Sequence, residues 1–339
     1  MNIFEFAQFD ESRFPVASDA ADYRQRVSRG YTQMGRSSVV IAGLARNVAH
    51  ILPATILRIE RLAACFASAH VVVYENDSTD HTAELLAAWQ SANPKIHLLS
   101  ETLAAPVNRP IRCSSRARWM VYYRSCIHQF IVRELPASDC VILLDTDLTG
   151  GWSLDGIANT FGHDGWDFVG ANGMIYRRRA LRANHLAHYD AWAYRLDAAM
   201  TPISTCEVNT IQHRRGQPMV PVSSCFGGLG VYRADAFREG EYVGEDIEHV
   251  GFHRSLMEAG RARLFLNPSQ IVLYGRKHRR LDPYVRRVQR GPLARQMLRS
   301  EPWQFDRRVD FSHWGRAELL QMLHNVRSTA PAGGRSNAA

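Results

Sequence analysis

The chain contains one Asp-x-Asp sequence, Asp145-Thr146-Asp147, which directly follows the apolar run 140–144. In an extended chain, side chains two residues apart point to the same side, so Asp145 and Asp147 would pair their carboxylates at a strand end. Such a pair is half of a site for a hard divalent cation. A bound Mg²⁺ or Mn²⁺ would take further oxygen ligands from a diphosphate. The alternative interpretation is a solvated turn after a strand.

Two further apolar runs end abruptly in polar residues. Arg46-Asn47 follows the run 39–45, and Glu75-Asn76-Asp77 follows the run 71–74. In open parallel sheets, ligands bind outside the carboxyl ends of the strands. We therefore expect these two groups to converge with Asp145 and Asp147 at one edge of a sheet.

The elements that position these groups alternate between strand and helix. Apolar runs predict strands at 39–45, 71–74, 96–99 and 140–144, and helical spacing of apolar residues predicts helices over 51–66, 83–90 and 114–135. This alternation is typical of an α/β fold with a mainly parallel sheet and helices on both faces.

The second half of the chain is rich in Gly, Trp and Arg. It predicts short strands at 167–171, 228–232 and 271–274 and a helix over 246–259. We interpret it as α+β material on the same sheet, so that 37–150 and 151–325 are two halves of one domain. Residues 1–36 are predicted to be peripheral, and 326–339 to be a disordered tail.

The charge balance favours anionic partners. Lys and Arg total 41 against 33 Asp and Glu, a net charge of +8, and lysine occurs only at positions 95 and 277. Arginine suits bidentate phosphate recognition, although a GC-rich genome would produce the same bias. The six scattered cysteines, the absence of a signal-peptide pattern and the absence of a long apolar segment predict a reduced, cytoplasmic protein.

The three strand-end groups occur in the order found in A-type nucleotide-sugar glycosyltransferases, and the chain resembles that class. Its second half resembles the fungal capsule-associated α-mannosyltransferase family and its bacterial relatives. The resemblance covers about residues 37–280, and the segments that carry it are Ala45-Arg46-Asn47, 75–82, Asp145-Thr146-Asp147, 224–232, 248–253, Asn267-Pro268-Ser269 and Tyr274. It implies a single A-type domain with a Rossmann-like sheet and an acceptor-side α+β half.

The resemblance also implies roles for individual residues. Glu75 and Asp77 would approach the base and ribose of the donor, and Asp145 would reach the ribose or a metal-bound water. Asp147 would ligate the metal directly, and His278 would complete the metal shell, which favours Mn²⁺ over Mg²⁺. A surface imidazole is the alternative for His278. Its basic neighbours, Lys277 among them, would help to hold the leaving diphosphate.

Other candidates lie on the remaining elements. Arg46 and Asn47 would contact the nucleotide-sugar donor. Arg116 and Arg118 lie at the start of the long helix and would either contact phosphate groups or simply be exposed in its first turn. Gly227-Gly228 would bring backbone close to the donor sugar or form a plain tight turn. Asp246 and Glu248 are candidate active-site carboxylates that would hold sugar hydroxyls or take a proton, or else ordinary acids in a helix first turn.

The function predicted from these residues is metal-dependent transfer of a hexose to a saccharide or lipid-linked saccharide acceptor in polysaccharide assembly. Our best prediction for the donor is GDP-mannose, used with retention. The alternatives are a UDP-sugar used with inversion, and a nucleotidylyltransferase, which would require more glycines after the first strand.

A non-enzymatic basic protein is the remaining alternative. Residues 276–299 contain nine Arg or Lys residues and one acid, a density that would also suit peripheral contact with the anionic inner face of a membrane. No nucleic-acid motif is present, so a nucleic-acid partner is not predicted.

Overall fold

The computed structural model describes residues 2–17, 19–106, 113–179, 182–244, 246–276 and 310–329. The strands in these ranges are β1 (Ser38–Ala45), β2 (Ser68–Asn76), β3 (Ile96–Glu101), β4 (Cys140–Asp145), β5 (Gly151–Trp152), β6 (Phe168–Arg179), β7 (Arg182–His188), β8 (Val220–Pro221), β9 (Leu229–Arg233) and β10 (Leu264–Arg276). The helices are α1 (Ile3–Phe6), α2 (Ala20–Met34), α3 (Leu52–Ala63), α4 (Thr82–Ala92), α5 (Ser114–Glu134), α6 (Leu154–Phe161), α7 (Thr205–Val208), α8 (Ala234–Glu239), α9 (Glu248–Glu258) and α10 (Arg316–Thr329).

All the strands of the described ranges belong to one mixed sheet. The order along it is β3-β2-β1-β4-β9-β6-β10-β5, with β7 beside β6 and β8 beside β10. The four strands β3, β2, β1 and β4 run parallel. Strand β9 lies antiparallel between β4 and β6, and β10 runs parallel to β6. The first half is therefore a parallel sheet and the second half is mixed.

Both faces of the sheet are buried. In β1, Val39 and Ile41 belong to a core formed with α3 and α4, whereas Val40 and Ala42 belong to a second core formed with α5 and α9. Strands covered on both sides need apolar residues at every position, which explains the uninterrupted apolar runs of the sequence. The predicted α/β fold, a Rossmann-like sheet with helices on both faces, is confirmed.

The N-terminal segment, predicted to be peripheral, packs closely on the second half of the chain. Helix α2 lies against α6, and a Cβ atom on Gly30 would come within 1.7 Å of the Ala158 carbonyl oxygen. Glu11, just before α2, accepts a hydrogen bond from the Ser153 hydroxyl at 2.8 Å and pairs with the buried Arg215.

The C-terminal part of the described chain also packs on the core. Helix α10 contacts α3 and α4, with Leu319 and Leu323 buried and Val326 packed against the same core. The helix continues to Thr329, so the predicted boundary of a disordered tail at 326 falls inside it.

Helices long and apolar enough to span a bilayer are not found among the described residues.

Candidate active site

The carboxyl ends of β1, β2 and β4 bring the acidic groups to one edge of the sheet. Leu44 is paired with Asp145 on one side of β1, and Ala45 is paired with Glu75 on the other. Two strand spacings separate Glu75 from Asp145, about 10 Å. The polar residues that follow these three strands therefore lie at the same edge of the sheet, because β2, β1 and β4 are parallel neighbours.

The loop after β4 is held rigidly from beneath by α3. Thr55 donates a hydrogen bond to the Thr146 carbonyl at 2.9 Å, and the Thr146 hydroxyl donates to Leu44 at 2.6 Å. The buried Arg58 guanidinium donates to the carbonyls of Leu148 and Thr149 at 2.8 and 3.0 Å, and burial lowers its pKa to about 9. The backbone that carries Asp145 and Asp147 is thus tied to the core on both sides.

Asp145 and Asp147 each accept a hydrogen bond from a tyrosine. Tyr189 donates its hydroxyl hydrogen bond to Asp145 Oδ2 at 2.9 Å, and Tyr274 donates to Asp147 Oδ2, also at 2.9 Å. The two tyrosine rings are stacked, with centroids 4.5 Å apart and planes inclined by 22°. The two carboxylates consequently face the same small region above the sheet.

The electrostatics of this pair suit a divalent cation. Burial, and next the nearby charge of Asp147, raise the pKa of Asp145 to about 7, although Arg124 and the Tyr189 hydroxyl act in the opposite direction. A bound divalent cation would stabilise the charged forms of both carboxylates, and their oxygen donors are those that Mg²⁺ and Mn²⁺ prefer. The donor chemistry therefore fits the predicted ion.

The described residues do not complete a metal shell. In the described ranges, three or more His, Cys, Asp or Glu side chains are nowhere grouped closely enough to hold a metal ion. His278, the predicted third ligand, and Lys277, the predicted phosphate contact, lie outside those ranges.

The raised pKa of Asp145 gives a prediction for metal-free protein. Since this carboxyl binds its proton more tightly in the folded chain than its ordinary pKa of 3.8 allows, its contribution to stability is present below about pH 4 and is lost as the pH rises through about 7. In EDTA, Asp145→Asn should therefore gain stability relative to the wild type between about pH 5 and pH 8. Urea unfolding at both pH values measures this difference, and a pH-independent difference would contradict it.

Asp190 is a site residue that the sequence analysis missed. It follows Tyr189 directly and has a left-handed backbone with φ of 60°. Burial, and then the charges of Asp145 and Glu248, raise its pKa well above the ordinary value, while a hydrogen bond from the Gly227 backbone opposes them. Asp190 is therefore a third carboxyl whose charge interacts with that of Asp145, and its sequence neighbourhood carries no motif that could have revealed it.

Arg124, also missed, is the buried cation beside these acids. Its side chain is about 2% exposed, its Nη2 lies 3.4 Å from Asp145 Oδ1, and its guanidinium lies 5.4 Å from the centre of the Phe226 ring. Within the described chain its Nε and Nη1 atoms have no hydrogen-bond partner. The signal was present in the sequence, because Arg124 interrupts the buried stripe of α5 between Met120 and Ile127.

The two arginines predicted at the start of α5 differ. Arg116 is partly buried, its Nε has no hydrogen-bond partner among the described residues, and its charge lowers the pKa of Asp190 and of His249. Arg118, two positions later, is exposed. Arg116 therefore acts on the acidic cluster, the group formed by Asp145, Asp147, Asp190 and Glu248.

The carboxylates of Glu75 and Asp77 accept hydrogen bonds from residues at the ends of β2 and β3 and in the loops that follow them. Glu75 is buried and accepts from the Ser78 backbone at 2.9 Å and the Ser100 hydroxyl at 2.7 Å. Asp77 accepts from the backbone of residues 103–105, at 2.9, 2.9 and 3.1 Å. Although burial raises the pKa of Asp77, hydrogen bonds from Asn76 and from this backbone lower it overall. Both carboxylates shape the loops at this edge.

Arg46 and Asn47 join the same loop network. Arg46 donates to the carbonyls of Ala105 and Pro106, at 2.8 and 3.2 Å, and its Nη2 lies 4.0 Å from Asp77. Asn47 accepts from the Thr79 backbone at 2.8 Å. The four predicted donor-side residues therefore hold together the loops that border the acidic cluster.

Gly227 and Gly228 form a crowded turn before β9. Both have positive φ, 65° and 88°. A Cβ on Gly227 would lie 2.3 Å from the Ala171 carbonyl oxygen, and a Cβ on Gly228 would lie 3.1 Å from the Tyr189 ring. Only glycine suits this geometry, which lets the Gly228 carbonyl accept from the Asp145 backbone at 3.0 Å.

The two predicted carboxylates near α9 have different surroundings. Asp246 accepts from the fully buried Arg195 at 3.2 Å. Glu248, the first residue of α9, is buried, and its charge raises the pKa values of Asp145 and Asp190. Its Oε2 atom has no hydrogen-bond partner in the described part of the chain. Glu248 therefore belongs to the acidic cluster, whereas Asp246 is engaged by an arginine.

A separate cavity of about 610 Å³ lies between the N-terminal segment and the β6–β7 hairpin. Its lining includes Phe14, Asn172, His188 and His213, but not Asp145, Asp147 or Glu248. The acidic cluster is therefore distinct from this cavity.

Comparisons with known proteins show a likeness of fold only. No protein-family model matches the sequence, and no curated protein sequence matches it. Among solved structures, the chain is similar to the mannosyltransferase PcManGT from Pyrobaculum calidifontis in complex with GDP-Man and Mn²⁺, at 14% identity and a TM-score of 0.41, over 93% of this chain and 83% of that one.

Two other similar structures are transferase complexes. Glucosyl-3-phosphoglycerate synthase from Mycobacterium tuberculosis, with Mn²⁺, UDP and phosphoglyceric acid, is 13% identical with a TM-score of 0.41, over 80% of each chain. GalNAc-T7 with UDP, GalNAc and Mn²⁺ is 14% identical with a TM-score of 0.42, over 78% of this chain and 48% of that one, so this chain spans about half its length. The resemblance to the fungal capsule-associated family stays a prediction.

Proposed function

We propose that the protein is a metal-dependent glycosyltransferase that uses a nucleotide-sugar donor. The observation that carries the proposal is the pair Asp145 and Asp147 at the carboxyl edge of a parallel sheet, where each accepts a hydrogen bond from one of two stacked tyrosines and the charge of Asp147 helps to raise the pKa of Asp145. An Mn²⁺ or Mg²⁺ ion bound there would act as a Lewis acid on a departing nucleoside diphosphate.

The residues of this chain supply binding and charge around that reaction. Asp147 would ligate the ion, and Asp145, braced by Arg124 and Tyr189, would lie beside it. Arg116, with a buried unpartnered Nε in the described part of the chain, would face the phosphates from α5. Lys277 and His278 are proposed to add a phosphate contact and a metal ligand from outside the described residues.

Glu248 and Asp190 are the proposed contacts for sugar hydroxyls. The charges of both act on Asp145 or are acted on by it, and Glu248 has an unpartnered Oε2 atom within the described residues that could accept from a hydroxyl group. Asp246, engaged by Arg195, would support the loop before α9. The backbone turn at Gly227-Gly228, beside Asp190, would border the sugar.

The finer proposal is transfer of mannose from GDP-mannose, with retention, to a saccharide or lipid-linked saccharide acceptor. A UDP-sugar used with inversion is the alternative for the same site. Peripheral contact with an anionic membrane would use the basic stretch 276–299, most of which lies outside the described residues.

A thermal-shift panel tests the function. GDP, UDP, CDP and ADP are compared with and without Mn²⁺, because a ligand that binds only the folded chain raises its apparent stability. We expect one or two of them, GDP among them, to raise the melting temperature only when Mn²⁺ is present. If none of the four nucleotides raises the melting temperature in the presence of Mn²⁺, the result would argue against a transferase. An equal rise with all four, with or without metal, would indicate a general anion-binding surface.

A further inference from the structure

The stacked tyrosines are the feature of this edge that the proposed reaction leaves unexplained. Tyr189 follows β7 and Tyr274 lies in β10, yet each donates one hydrogen bond to one of the two aspartates, and their rings contact each other. We propose that Tyr189 and Tyr274 are positioning residues that hold Asp145 and Asp147 in the orientation that binds a divalent cation. This inference rests on the proposed function, because it assigns the aspartates to a metal ion.

The backbone around Tyr274 departs from a regular strand, and this departure sets the direction of its side chain. The pairing of β10 with β6 shifts register between Leu273 and Gly275, so Tyr274 lies at a bulge in the strand. Bulges redirect a side chain that a regular strand would point elsewhere. The Tyr274 carbonyl also accepts from the Thr149 backbone at 3.0 Å and the Thr149 hydroxyl at 2.7 Å. Tyr274 is therefore fixed to the loop that carries Asp147.

Tyr189 is also held in place by its backbone and its ring. Its backbone N–H donates to the Gly173 carbonyl at 2.9 Å, and its ring packs over Gly228, where a Cβ would come within 3.1 Å of it. The stacked ring of Tyr274 then limits its rotation from the open side. Neither hydroxyl can move far without breaking a contact to the other tyrosine.

The chemistry of the contacts is that of an outer shell around a metal site. Each hydroxyl donates to Oδ2 of its aspartate, which fixes the rotation of the carboxylate and stabilises its charged form. A tyrosine hydroxyl ordinarily keeps its proton at neutral pH, so both hydroxyls can donate. Removing such outer-shell partners typically weakens metal affinity by about 10- to 100-fold.

The test replaces each hydroxyl and keeps each ring. Tyr189→Phe and Tyr274→Phe preserve the stacked pair, and Mn²⁺ affinity is measured from the electron paramagnetic resonance signal of free Mn²⁺, with and without GDP or UDP. We expect each variant to raise the dissociation constant for Mn²⁺ by about 10-fold or more. In a transfer assay, excess Mn²⁺ should restore most of kcat, which a general loss of structure would not allow.

Tyr31→Phe is the matched control. Tyr31 donates to Asp155 Oδ1 at 2.8 Å where α2 packs on α6, so it removes the same kind of bond from a different part of the molecule. We expect its affinity for Mn²⁺ to equal that of the wild type, although its melting temperature should fall. Should one of the two active-edge variants fail to fold, the other still decides the question.

Three outcomes are distinct. Weaker Mn²⁺ binding in every one of the two tyrosine variants that folds, and not in Tyr31→Phe, supports the inference. Unchanged Mn²⁺ affinity in folded Tyr189→Phe and Tyr274→Phe, while the wild type still binds nucleotide with Mn²⁺, overturns the positioning role and leaves the proposed function standing. A wild type that binds no Mn²⁺, alone or with either nucleotide, overturns both.

Discussion

Asp147→Asn should reduce Mn²⁺-dependent transfer by about a thousandfold or more, since a bound ion contributes several kcal/mol of charge stabilisation and about 4 kcal/mol corresponds to that factor. The asparagine keeps the size of the side chain and an oxygen that can still accept from Tyr274. Only the charge is removed. The measurement is the initial rate of transfer, or of donor hydrolysis, with the nucleotide-sugar identified by the thermal-shift panel.

The control for this variant is Asp235→Asn. Asp235 lies at the start of α8, beyond the end of β9 that is opposite the acidic cluster, and its half-exposed side chain pairs with Arg261 at 3.1 Å. Its rate should stay within about twofold of the wild type, because exposed ion pairs contribute little. An Asp147→Asn enzyme that retains a tenth of the wild-type rate or more would remove the metal assignment from Asp147.

Arg124→Met should lower the free energy of unfolding by about 3 kcal/mol at pH 8, since removing one partner from a buried ion pair leaves the other charge uncompensated. Methionine fills a similar volume and retains the contact with the Phe226 ring. The loss should be smaller below about pH 6, where Asp145, with its pKa raised to about 7, is neutral in the folded chain. Urea unfolding of metal-free protein measures both values.

Two further variants separate charge from packing. Arg133→Met, in the last turn of the same helix at an exposed position, should change stability by less than about 0.5 kcal/mol. The double variant Arg124→Met, Asp145→Asn should recover at least about 1 kcal/mol relative to the sum of the single changes, because the uncompensated carboxylate is gone. Strict additivity of the two changes would show that Arg124 stabilises the fold by packing alone.

The sequence was most informative where a residue's environment depends on its own element. The uninterrupted apolar runs before Arg46, Glu75 and Asp145 predicted strands buried on both faces, and the carboxyl ends that they predicted agree with the structure to within two residues. The short strands of the second half were underestimated. Strand β6 extends to Arg179 and β10 begins at Leu264. The predicted strands were shorter because Gly, Arg and Asn interrupt the apolar patterns of both.

The candidate site was predictable in part for the same reason. Asp145 and Asp147 could be recognised from one motif after one strand, and Glu248 from an acidic helix start. Tyr189, Asp190 and Arg124 could not be assigned to the site, because each reaches it through contacts with elements far away in the chain. Arg124 alone left a trace, as a charge within the buried stripe of α5.

What this sequence determined by itself is therefore the alternation of strands and helices, the burial of the sheet on both faces and the polar residues at its carboxyl edge. Apolar periodicity records which side of its own helix or strand a residue occupies, and that information is local. The tertiary structure alone decided that two tyrosines would stack and hold the two aspartates. That contact depends on the bulge at Tyr274, the turn at Gly227-Gly228 and the register of β10 on β6, and these arise only when distant segments pack together.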